Sequence, residues 1–157
     1  MRVPRQGMAV AALAVVGFAG ACGPGASCDL ESDTLSRDQA MAEGRPFFIS
    51  NLEIGSDGVV APGQEIQFSF DVERLSEPGS HAVGARLQSG PQTLVVMYAY
   101  PEIPGAGKVT GTFAASDEKP GARYCGDLQI VPDPNVALPG APLEPLSNAL
   151  PFVLSVE

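Results

Sequence analysis

Apolar and polar residues alternate with a period of two along the stretch from Glu65 to Glu73. Every second position is apolar, and the apolar positions are Ile66, Phe68, Phe70 and Val72. Because successive side chains of a β-strand point to opposite faces, this pattern predicts a strand with one buried and one solvated face.

Six further short strands are predicted after Pro46, separated by turn-forming clusters of Gly and Pro. The run at 93–100 is continuously apolar and bounded by prolines, which predicts a buried strand. In the run at 122–131, one face is predicted to be core and the other, with Cys125, Asp127 and Gln129, is predicted to point outward. The core face of that run holds Tyr124, Leu128 and Ile130. The six predicted strands are 48–54, 83–87, 93–100, 109–115, 122–131 and 150–156.

Seven short strands with almost no helical periodicity predict an all-β sandwich or barrel. Three stretches, VVAPGQEIQFSFDV, EKPGARYCGDLQIV and SNALPFVLSVE, resemble the immunoglobulin-like and fibronectin-III-like modules of bacterial surface proteins. The resemblance covers residues 46–157 and implies a sandwich of about seven antiparallel strands. It lacks the buried Trp of antibody domains, since the chain has no Trp.

Two segments flank the predicted strands. Residues 22–45 are small and polar and are predicted to be a tether, within which Ser36 and Gln39 have the spacing of a capping box for a short helix near 37–43. Residues 132–151 carry six prolines and are predicted to form a long, extended loop that is poor in backbone pairing.

Residues 1–21 predict a signal peptide. Arg2 and Arg5 form a positive start, and 9–19 is an uncharged apolar run. A spanning helix needs about 20 apolar residues, so this run is too short to cross a bilayer.

The sequence at the end of this segment, Ala19-Gly20-Ala21-Cys22, resembles the lipobox of bacterial lipoproteins. The resemblance implies cleavage after Ala21 and attachment of a diacylglycerol to the Cys22 thiol. Gly23, rather than Asp, follows the cysteine, which in Gram-negative lipoproteins implies the outer membrane. Ordinary secretory cleavage at the same bond remains the alternative, because Ala19 and Ala21 also form an A-x-A site.

The chain has three cysteines. If Cys22 carries lipid on its sulfur, Cys28 and Cys125 are left as a disulfide pair, and export places them where disulfides persist. With Cys125 on the outward face of its strand, this disulfide would fasten the N-terminal segment to the outside of the sandwich.

Removal of residues 1–21 would leave 18 acidic and 7 basic residues, a formal net charge of −11. Such a surface repels nucleic acid and anionic lipid head groups, so neither is an expected partner. Attachment to the membrane is therefore expected to come from the acyl chains on Cys22.

No catalytic residues, metal site or cofactor is predicted. His81 stands alone before a strand, without the partners of a nucleophilic triad. Asp29, Glu31 and Asp33 are spaced like the start of a calcium loop but lack its glycine and its later bidentate Glu, which favours a solvated acidic tether. Tyr98 and Tyr100 are the candidates for ligand contact, although such tyrosines are more often core residues.

The sequence therefore predicts a non-catalytic, lipid-anchored module of the cell envelope. Its expected role is protein–protein contact, as an accessory or structural subunit of an envelope assembly or as an adhesin-like module. The alternative is a cell-surface receptor domain for a glycan or small molecule.

Overall fold

The computed structural model describes residues 32–88, 94–114, 121–136 and 144–157. This part of the chain holds one helix and eight strands, which form two sheets. The elements are α1 (Arg37–Ala42), β1 (Phe47–Ile54), β2 (Val59–Val60), β3 (Ile66–Arg74), β4 (His81–Gln88), β5 (Leu94–Ala99), β6 (Ala106–Phe113), β7 (Arg123–Pro132) and β8 (Leu150–Val156).

The three-stranded sheet has the order β1-β3-β6, and the five-stranded sheet has the order β2-β8-β7-β4-β5. All neighbouring strands are antiparallel except β2 and β8, which run parallel over two residues. Buried side chains of both sheets meet in one hydrophobic core. The all-β class is therefore confirmed.

The core comes from the inward face of each strand. The alternation predicted for β3 is confirmed, because Ile66, Phe68, Phe70 and Val72 are all buried. Leu128 and Ile130 of β7 are fully buried, and Tyr124 packs against the core from a partly buried position, as predicted. Phe113 of β6 packs against Phe68 of β3, and their ring centroids are 4.6 Å apart.

The number of strands and the burial of β5 differ from the prediction. The two-residue β2 is an eighth strand, and its parallel pairing with β8 makes the sandwich not purely antiparallel. The apolar run at 93–100 is not a fully buried strand. It forms β5 at the edge of the five-stranded sheet, where only one of its faces meets the core.

Helix α1 begins as the sequence predicts. The Ser36 hydroxyl accepts a hydrogen bond from the Gln39 backbone, and the Gln39 side chain accepts one from the Ser36 backbone, which completes the capping box. Arg37 of the helix forms an ion pair with Glu73 of β3, in which Arg37 Nη2 lies 2.5 Å from Glu73 Oε1. The hydrogen bond from Arg37 lowers the pKa of Glu73, and desolvation opposes this shift. No helix in the described part of the chain is long and apolar enough to cross a membrane.

The end of the proline-rich segment is better paired than predicted. The Leu146 carbonyl accepts from the Phe47 amide at 3.0 Å, and the Leu146 amide donates to the Ile130 carbonyl at 2.8 Å. The side chains of Ser147 and Asn148 are buried. This segment thus connects β1 of one sheet to β7 of the other, whereas residues 137–143 lie outside the described part.

Candidate functional site

The outer face of β5 exposes large apolar side chains. Val96 is 46%, Tyr98 37% and Tyr100 55% exposed. Val96 and Tyr98 lie on the side of β5 that faces away from the core, and Tyr100 is the exposed residue that directly follows the strand. We call these three residues the β5 strip. Clustered exposed apolar residues are a mark of contact surfaces, whereas scattered ones are not.

Residues outside β5 hold the two tyrosines in place. Tyr98 lies opposite Gly84 of β4, where a Cβ would be 3.6 Å from the tyrosine ring and 3.3 Å from Val131. The missing side chain thus leaves room for Tyr98 and Val131 to lie over the sheet. The Asn135 amide donates to the Tyr100 hydroxyl at 2.8 Å. Val136, the next residue along the chain after Asn135, is 67% exposed.

The expectation that Tyr98 and Tyr100 are core residues is wrong. In a continuous apolar run, the sequence does not indicate which of the two strand faces is covered. The spacing of Val96, Tyr98 and Tyr100 groups them together but does not show that they are exposed, and sequence reasoning did not single out Val96. Both sequence-predicted contact tyrosines therefore lie together on an exposed surface.

An ion pair joins the next two strands, β4 and β7, on the same outer face of the sheet. The Asp127 side chain is 0% and the Arg86 side chain 33% exposed. The Arg86 Nε donates to Asp127 Oδ1 at 2.9 Å, and the Arg86 Nη2 donates to the other carboxylate oxygen. The hydrogen bonds that Arg86 donates to Asp127 are the main cause of the raised pKa of Arg86, and burial opposes this shift.

The N-terminal segment covers this ion pair. The Ser32 hydroxyl donates to Asp127 Oδ2 at 2.8 Å, and the Asp33 carbonyl accepts from the Ala149 amide at 2.8 Å. The Asp33 carboxylate pairs with Arg45 at 3.1 Å. Asp127 is therefore on the outward face, as predicted, but it is buried rather than solvated because Ser32 and Arg86 lie over it.

Cys125 lies two residues from Asp127 on the same face of β7. It is 5% exposed and disulfide-bonded, so its outward position is also a covered one. The amide oxygen of neighbouring Gln88 is buried, and no described residue donates a hydrogen bond to it. Cys22, Ala21 and Cys28 lie outside the described residues, so the lipid site, the cleavage site and the assignment of Cys28 as the disulfide partner stay predictions.

His81 contacts an aromatic ring and a backbone carbonyl. The His81 ring contacts Phe47 edge-on at 5.1 Å, and its Nδ1 lies 2.7 Å from the Gly79 carbonyl. Within the described residues, no three His, Cys, Asp or Glu side chains are placed to hold a metal ion. A shallow groove of about 440 Å³ crosses the three-stranded sheet, and Glu53, Phe68 and Thr110 are among the residues that line it.

The β5 strip is the surface in the described chain that combines exposure with a fixed apolar arrangement. What it offers chemically is contact area, two phenol hydroxyls and the backbone of an edge strand. No protein-family model matches this sequence, and no curated protein matches it either.

Proposed function

We propose that this chain is a non-catalytic, lipid-anchored module of the bacterial envelope that works by protein–protein contact through the β5 strip. The exposed, regularly spaced Val96, Tyr98 and Tyr100 carry this proposal. Aromatic side chains are enriched at the centres of protein interfaces because they bury much area and lose little conformational entropy. A partner that covers the strip would remove this apolar surface from water.

We further propose that the sandwich is immunoglobulin-like. The order β1-β3-β6 corresponds to strands A-B-E of such domains if the strands are lettered along the chain. In the same lettering, β8-β7-β4-β5 corresponds to G-F-C-C′. The strand order therefore supports the resemblance that the sequence suggested, and it makes β5 the C′ edge strand.

The proposed anchor is a lipid on Cys22, with Cys28 and Cys125 as the disulfide pair. The position of Ser32 supports this pairing. Ser32 is held beside Asp127, about 7 Å along the strand from Cys125, and the four residues back to Cys28 can span about 13 Å. Six further residues to Cys22 reach about 20 Å, so the sandwich would sit close to the membrane.

Intact mass spectrometry of the protein from the detergent fraction tests the anchor. We expect a chain that begins at Cys22 and carries acyl groups, with no thiol that can be alkylated until a reductant is added. An unmodified chain in the soluble fraction, with Cys22 free or dimerised, would contradict the lipid anchor. That chain would instead be a secreted soluble module.

Site-specific photo-cross-linking in intact cells tests the contact role. A photoreactive residue at Val96 is expected to give a discrete cross-linked product, whereas the same residue at Met41 is expected to give none. Met41 is the matched control, because it lies on α1, away from β5, and is 49% exposed against 46% for Val96. The physical reason is that only the residue inside an interface stays within bonding distance of one partner.

Equal products at both positions, or none at either, would count against protein contact through the strip. The second candidate, a glycan or small-molecule receptor, would then be favoured if the protein binds a glycan array and Tyr98→Ala with Tyr100→Ala abolishes that binding. The exposed tyrosines are the observation behind this alternative, since aromatic faces stack on sugar rings.

A further inference from the structure

We propose that the outer edge of β5 binds an extended, uncharged or basic segment of another protein as an added sixth strand of the five-stranded sheet. This inference rests on the proposed contact role and names the chemistry of the partner. In the described sheet, β5 pairs with β4 along one edge, from Val83 opposite Ala99 to Gln88 opposite Leu94. Its other edge pairs with no described strand.

The other edge strands of the two sheets are protected against strand addition. An Asn148 side chain covers the free edge of β1, because its amide nitrogen donates to the Ile49 carbonyl and its oxygen accepts from the Ile49 amide. The pairing of β1 with β3 also shifts between Ser50 and Glu53, which marks a bulge. Coverage and bulges are both recognised means of blocking an edge.

Strand β2 has only two residues, and β6 carries an exposed Lys108 with Gly107 at φ +120° beside it. Short length and an edge lysine likewise oppose the pairing of a further strand. Within the described residues, strand β5 has none of these protective features. Its six residues, LVVMYA, contain no charge and no proline, and its register with β4 has no irregularity.

The partner segment is expected to have apolar side chains at alternate positions, which would lie beside Val96 and Tyr98 on the outer face. The side chains between them would lie on the inner face, beside the partly buried Val95 and Met97. In strand addition, main-chain hydrogen bonds provide affinity, and alternate side chains provide specificity. Because the chain has a formal net charge of −9, an acidic segment would be repelled and a basic one attracted.

A second copy of this chain fits the edge less well than a segment of another protein. Six residues span about 20 Å, and two sandwiches meeting edge to edge would share a contact about 10 Å deep, or roughly 200 Å² each. A stable interface needs about 800 Å² per partner. Two copies also carry the same large negative charge, which opposes their association.

The test uses the exported protein as purified and a fluorescent nine-residue probe peptide, KTVTVTVTK, with blocked ends. We expect saturable binding in fluorescence anisotropy and at least about tenfold weaker binding of the matched peptide with Glu at both ends. In hydrogen exchange followed by NMR, the Lys peptide should slow every second amide of Leu94–Ala99 at least about tenfold, since the others already pair with β4.

Backbone methylation separates strand addition from contact through side chains alone. Methyl groups on the three valine nitrogens block one edge of the peptide, and methyl groups on three threonine nitrogens block the other. Strand addition predicts that one pattern weakens binding about tenfold or more, whereas the other changes it little. Equal effects of both patterns would overturn the proposal.

Absence of binding at about 1 mM of both Lys and Glu peptides would also overturn it, because a strand-addition site should bind a suitable strand within that range. Tighter binding of the Glu peptide would overturn the assigned charge of the partner. If the peptide fails but Val96 still cross-links in cells and Met41 does not, strand addition fails while the contact role stands. Failure of both experiments would reject the contact role as well.

Discussion

Replacing Arg86 with Ala is expected to lower the free energy of unfolding by about 3 kcal/mol. The Asp127 side chain is fully buried, and both of its oxygens accept hydrogen bonds from Arg86. Without the guanidinium, the carboxylate loses its counter-charge in a place that water does not reach freely. The estimate is at the low end for a buried pair because Arg86 is one-third exposed. Urea denaturation followed by circular dichroism measures the change.

Arg74→Ala is the matched control for this substitution. Arg74 pairs with Glu77 at 2.7 Å, but both side chains are well exposed, so the loss is expected to stay below about 1 kcal/mol. A double substitution, Arg86→Met with Asp127→Leu, should recover most of the stability, because no buried charge remains unpaired. If Arg86→Ala costs no more than Arg74→Ala, the Asp127 carboxylate is solvated and does not hold Ser32 in place.

The features that the sequence predicted correctly depend on neighbours along the chain. The alternation at Ile66–Val72 reports the two faces of one strand, and the Ser36–Gln39 capping box spans three residues. Both are local patterns whose energetics are decided within a few residues. The sandwich class followed because several such strands need a common core.

The features that the sequence missed depend on distant partners. Asp127 is buried because of Arg86, 41 residues earlier, and Ser32, 95 residues earlier. Alternation places Asp127 on the outward face but does not reveal what covers that face. The two residues of β2 carry too little pattern to predict a strand, and their partner β8 lies at the far end of the chain.

The β5 strip could be predicted only in part, for a related reason. A continuous apolar run is typical of a strand with two buried faces, but it is equally compatible with an edge strand whose outer face is exposed. Within the described residues, the position of β5 at the end of the strand order decides between these cases. The tyrosines were recognised as candidates, and their exposure is what the sequence alone could not provide.

The segment around Asn148 illustrates how the fold protects one edge while β5 stays open. Ser147 accepts a hydrogen bond from the Ile130 amide of β7 at 2.8 Å, and Asn148 exchanges two with Ile49 of β1, at 2.8 and 2.9 Å. Two adjacent polar side chains thus connect the two sheets. Both residues lie within residues 132–151, which were predicted to be a loop because of their prolines.

Asn148→Ala is expected to lower the free energy of unfolding by about 2–4 kcal/mol, since the amide and carbonyl of Ile49 would both be left unpaired. Urea denaturation measures this loss, and Asn135→Ala is the control. Asn135 is exposed and donates to the Tyr100 hydroxyl, so its loss should cost no more than about 0.5 kcal/mol.

The same substitution should also change how the protein associates. Removing the Asn148 amide uncovers backbone groups on the edge of β1, and uncovered edges pair with one another. Sedimentation velocity under native conditions is therefore expected to show concentration-dependent association for Asn148→Ala and none for Asn135→Ala. A stable, non-associating Asn148→Ala variant would mean that water satisfies Ile49 and that the bulge in β1 is enough to protect its edge. The contrast with β5 would then rest on the shape of the β1 edge rather than on its coverage by Asn148.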